Sequence, residues 1–148
     1  MKRLILIILC IISLTACQKT NENQTDPNDA ESGETVIELE LDKNYDVSDP
    51  FVNAKLFCVT EDMESLEGEV TFKMDGESGI VEIKDNKTDQ VLWSNEWDEN
   101  VDLETLSISL ENISVDGEYA VWFTGTKINY AMVTVTFSDI VQQRERPL

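Results

Sequence analysis

The stretch Leu92 to Glu104, LWSNEWDENVDLE, concentrates the side chains best equipped for chemistry. Asp98, Asn100 and Asp102 stand at i, i+2 and i+4, with Glu104 at i+6. Oxygen ligands at alternate positions can converge on a hard cation when a loop wraps around it. A wrapped calcium loop also wants glycine at its sixth place and a bidentate glutamate at its twelfth. Here those places hold Leu103 and Ser109. The pattern fits a solvated loop between sheets better than a calcium site, and no cofactor is expected. Trp97 offers a second chemistry. Sugars stack on aromatic faces while neighbouring amides and carboxylates bind their hydroxyls, and Trp97 is flanked by Asn95, Asp98 and Asn100. Tryptophan and tyrosine also fill sandwich interiors and cross-strand pairs. Of Trp93 and Trp122, which fall inside strand-like runs, one or both are expected to pack inside, leaving Trp97 as the exposed candidate.

Other chemistry is limited by what the chain lacks. It contains no histidine, which removes the usual zinc sites and the Ser-His-Asp and Cys-His arrangements. Carboxylate pairs occur throughout, so a pair means little, and glycoside hydrolysis needs two of them across a cleft. A domain of this size offers little cleft. The expectation is a protein that is not an enzyme. Cys58 lies in the apolar alternation Val52-Ala54-Leu56-Cys58 and reads as a buried, inert thiol.

The other two cysteines belong to the N-terminal segment. Lys2 and Arg3 precede an apolar run from Leu4 to Ile12, too short for a transmembrane helix, which needs about 20 residues. Leu14-Thr15-Ala16-Cys17 then follows. This order resembles the signal and lipobox of bacterial lipoproteins, with threonine at the second place a departure from the commoner small residues. The resemblance implies cleavage before Cys17 and diacylglycerol on the Cys17 sulfur. A single acyl chain holds a protein only reversibly, whereas two anchor it stably. It therefore implies a domain held at the extracytoplasmic face of the cell membrane.

Cleavage would remove Lys2 and Arg3 but no acid, leaving 9 basic and 30 acidic side chains, a formal charge of −21. Such a domain repels phosphate backbones and anionic headgroups, so nucleic acid is not an expected partner. The segment 17–34 comprises Cys17 and a polar linker, rich in Asn, Asp and Thr, that buries too little to offset its ordering entropy. It reads as a disordered tether with a root-mean-square span of about 20–25 Å.

From Thr35 the period becomes two. Ile37-Leu39-Leu41 alternate with Glu38-Glu40-Asp42, and similar runs cover Val52–Val59, Glu69–Met74, Gly79–Lys84, Gln90–Ser94, Leu103–Leu110, Glu118–Thr124 and Asn129–Phe137. Asp75-Gly76-Glu77-Ser78 reads as a hairpin turn, and Glu61 to Glu67 as the one place for a helical turn, ended by Gly68. About eight short strands without a long helix predict an all-β fold, an antiparallel β-sandwich of jelly-roll or Ig-like type. The expected organisation is a signal segment (1–16), lipidated cysteine and linker (17–34), sandwich (35–140) and flexible tail (141–148).

The runs GIVEIKDNKTDQVLWSNEW, LSISLENISVDGEYAVWFTG and AMVTVTF are similar to the small jelly-roll-like domains of many Firmicute lipoproteins. The likeness covers residues 66–138, and it implies a fold without an activity, because that group has no single one. Asn129-Tyr130-Ala131 departs from the Gly-containing turn that opens many of that group's final strands. The expected function is a membrane-anchored, non-catalytic interaction module, monomeric, meeting an envelope protein or wall component. The alternative is a carbohydrate-binding or calcium-dependent sugar module using Trp97 and the Asp98–Glu104 loop.

Overall fold

Alternating burial sorts the chain into two sheets. The structure is a computed structural model that describes residues 34–42, 44, 48–139 and 141–144. The signal segment, Cys17 and the linker up to residue 33 lie outside the described residues. One antiparallel sheet holds β1 (Thr35–Asp42), β8 (Tyr130–Phe137), β3 (Met63–Asp75) and β6 (Val101–Ile113), in that order. The other runs β5 (Gln90–Trp97), β4 (Ser78–Asp85), β7 (Tyr119–Thr126), β2 (Phe51–Val59) and β9 (Val141–Arg144). Strands 1, 3, 6 and 8 thus face strands 2, 4, 5 and 7, the jelly-roll arrangement of an all-β sandwich.

The core forms where the inward residues of both sheets meet. Ile37, Leu39 and Leu41 of β1 are buried as their alternation predicts. They meet Val70, Phe72 and Met74 of β3, Val133, Val135 and Phe137 of β8, and Val121 and Phe123 of β7. Phe57 packs between Tyr119 and Phe137, with ring centroids 5.5 and 5.0 Å apart. Among the described residues, no polar or charged residue is buried. At the mouth of β7 the Tyr119 hydroxyl folds back on the preceding loop, accepting the Ser114 N–H at 2.8 Å. A Cβ on Gly117 would run into that phenol, so the turn requires glycine there.

Four readings are corrected. Asp75–Ser78 is not a hairpin, because β3 and β4 lie in different sheets. A two-residue hairpin of that kind needs positive φ at the glycine, and no described glycine has one. Instead the turn carries the chain across the sandwich, with Ile128 packed where a Gly76 Cβ would sit. The stretch after Asp62 makes no helical turn but opens the long strand β3. Gly68 does not end an element there; a Cβ at Gly68 would come within 2.5 Å of the Thr136 carbonyl, so it marks close backbone approach inside a sheet. In β2 the core cluster takes Phe51, Phe57 and Val59, while Ala54, Leu56 and Cys58 are buried on the opposite side and Val52 is 42% exposed. Finally, the sandwich does not stop at residue 140. Val141–Arg144 forms β9 along β2, with Val141 buried.

Candidate functional site

The residues singled out around Trp97 gather at one flank of the sandwich, where β5 and β6 are the edge strands. Register places Trp93, Asn95 and Trp97 opposite Ile83, Val81 and Gly79 of β4, all on the core-facing side. Gly79 leaves room: a Cβ there would lie 2.6 Å from Met74 Sδ and 3.2 Å from Phe72 Cζ. Trp97 closes over this space, stacked on Phe72 with centroids 4.1 Å apart and planes 26° from parallel. Its indole N–H donates to Glu104 Oε2 at 2.5 Å. Trp97 is half-buried, and one ring face and its only polar atom already have partners.

The carboxylates and amides around it do not converge. The strands extend further into the expected loop than the sequence suggests, leaving only Asp98–Asn100 between them. Asp102 and Glu104 therefore sit on β6 rather than in a wrapped loop. Glu104 serves Trp97, and Asn100 Oδ1 accepts the Gly76 N–H at 2.9 Å, tying this loop to the inter-sheet turn. Asp98 and Asp102 are exposed, and Asn95 is half-buried on the inner side of β5. Among the described residues, no group of three or more acids, cysteines or histidines could hold a metal. This corner is built as a brace between the two sheets.

Trp93 packs against the core from the same edge, whereas Trp122 lies on the outer face of the five-stranded sheet with Lys84 Nζ 5.3 Å from its ring centroid. Cys58 is buried and unbridged.

The outer face of the four-stranded sheet is a second polar surface. Thr71 and Thr105 hydroxyls pair across β3 and β6 at 3.0 Å, as do Ser65 and Ser109. Ser65 and Ser109 both donate to Glu67, the latter at 2.7 Å. The Ser65 bond first, then the Ser109 bond, holds the Glu67 carboxyl below the usual carboxylate range. Glu38, Glu40 and Glu69 share this face, with Lys73 as its basic member on β3. The period-two alternation of acids and hydroxyls signals such a face strand by strand. Only the strand order, which the sequence does not show, assembles β1, β8, β3 and β6 into one surface.

Residues 18–148 match the model of a family described as a domain of unknown function, DUF4624. No curated protein and no solved structure matches the chain.

Proposed function

The chain belongs to the DUF4624 family, and from that premise we propose that it is a lipid-anchored lipoprotein at the extracytoplasmic face of the cell membrane. Its sandwich is a non-catalytic interaction module for a protein or wall component of the envelope. The observation that carries this reading is the order of the N-terminal residues. Lys2-Arg3, an apolar run and Leu14-Thr15-Ala16-Cys17 come in sequence, and the family domain begins at residue 18, directly after Cys17. Diacylglycerol on the Cys17 sulfur supplies the two acyl chains that stable anchoring needs.

Two features support the non-catalytic part. Among the described residues no Asp, Glu, Lys or Arg is buried, so these acids and bases lack the water-free setting in which burial tunes a catalytic group. The corner richest in polar residues spends Trp97, Glu104 and Asn100 on contacts between elements. The charge of −21 that cleavage before Cys17 would leave suits a body that stands off anionic headgroups at the end of its linker. Replacing Cys17 with Ser tests the anchor. The variant is expected in the medium or soluble fraction while wild type sediments with membranes; equal membrane fractions for both contradict the proposal.

A further inference from the structure

Sheet edges present unpaired N–H and C=O groups, and proteins blunt them with bulges, charges, short strands or covering side chains. Three of the four edge strands here are treated in that way. β9 has only four residues. β1 is bridged to β9, since Gln143 Nε2 donates to the Val36 carbonyl at 2.8 Å and the Val141 N–H donates to Thr35 Oγ1 at 3.1 Å. β5 is broken by a register shift that leaves Leu92 without a counterpart between the Lys84↔Val91 and Ile83↔Trp93 pairs.

β6 is different. It is one of the two longest strands, and among the described residues it pairs only with β3. Its register is unbroken from Ser65↔Glu111 to Phe72↔Glu104. The irregularities fall outside that run, at the shift between Phe72 and Met74 and at Asn112, whose φ is 56°. From Thr105 to Leu110, TLSISL, the edge carries no charge and no proline. Thr105, Ser107 and Ser109 are exposed, and Leu106 is only half-buried. On the facing edge strand, Leu92 and Trp93 are also partly buried. Acids bracket the neutral run, Asp102 and the Trp97-bonded Glu104 before it and Glu111 after it.

We infer that the open edge of β6 between Thr105 and Leu110 is a strand-addition site for an extended segment of another protein. That segment has a neutral centre of alternating apolar and hydroxyl side chains, and basic residues at both ends. Backbone hydrogen bonds along TLSISL supply affinity, and alternate side chains supply register, as in other cases where a peptide extends a sheet. Apolar residues of the added strand cover Leu106 beside β5, its hydroxyls meet Ser107 and Ser109, and its basic ends meet Asp102 and Glu111. The charge of the mature chain opposes a second copy in the same place. This inference rests on the interaction-module reading and names the surface that module uses.

The test uses the full-length chain in non-ionic detergent and a synthetic peptide of alternating Thr and Val with two lysines at each end. A control peptide carries N-methyl groups on alternate residues, which keeps the charge and removes the donors along one edge. The expected result is slower amide exchange within Thr105–Leu110 on adding the peptide, and binding weaker by about tenfold or more for the control. Equal binding of the two peptides means charge attraction alone and overturns the inference. Protection confined to other strands overturns it too, as does protection of Thr105–Leu110 by self-association without peptide. None of these readouts depends on Cys17, so failure here leaves the anchor test intact.

Discussion

The Tyr119 hydroxyl shows how much rests on single atoms in a sandwich whose described part has no buried polar residue. It accepts the Ser114 N–H and donates to the Ser114 carbonyl, pinning the loop that opens β7. Tyr119→Phe removes both bonds and leaves a part-buried N–H unsatisfied, at a cost of about 1–3 kcal/mol. Urea unfolding should show the loss; a change within error contradicts the assignment. Trp97 invites a sharper comparison. As a brace stacked on Phe72 and bonded to Glu104, it should cost about 3 kcal/mol on replacement by Ala, in the range of large-to-small changes. A purely sugar-binding tryptophan would leave the unfolding midpoint unmoved. Glu67 makes a pH statement. Its folded carboxyl lies below its unfolded value, so its contribution is present above the unfolded pKa and lost as pH falls through the folded one. Glu67→Gln should flatten the acid side of the stability profile, and an unchanged slope contradicts that role.

At the scale of elements, alternation identified nearly every strand, because the side-chain period of a half-buried strand is visible in one chain. Ile37-Leu39-Leu41 and Ala131-Val133-Val135-Phe137 point inward as their pattern requires. Pairing was not legible. Asp75-Gly76 carries the composition of a hairpin turn, yet its backbone crosses between sheets, and composition does not report the sign of φ. Met63–Gly68 was hidden because Glu64, Ser65 and Glu67 mask the single buried Leu66. From Leu56 to Val59 both faces of β2 are buried, so the alternation Val52-Ala54-Leu56-Cys58 gave no clue to which face the core takes. The candidate site was legible as chemistry but not as geometry: one cannot read from DENVDLE that Glu104 turns to Trp97 while Asp98 and Asp102 stay in solvent. The C-terminal strand was missed because VQQR offers one apolar residue. That strand carries its own prediction. Ending the chain at Asp139 exposes the edge of β2 and removes buried Val141, for a loss of about 2–3 kcal/mol. Unchanged thermal stability of the truncated chain contradicts a structural role for β9.

For the whole molecule, the parts have separate tasks. The sandwich is held by an apolar core, its acids stay in water, and its polar corner braces β5 against β6. Calcium at millimolar concentration should therefore leave both the unfolding midpoint and tryptophan emission unchanged; a calcium-dependent rise in either contradicts the brace and restores the loop as a ligand site. The proposed anchor lies at the other end of the chain's logic, in Cys17 rather than in the sandwich. It is most directly examined by intact-mass analysis of the protein recovered from membranes of its own cells. The account predicts a chain that starts at Cys17 and carries the mass of a diacylglyceryl group. A chain that retains Met1, or one that starts elsewhere without lipid, contradicts it.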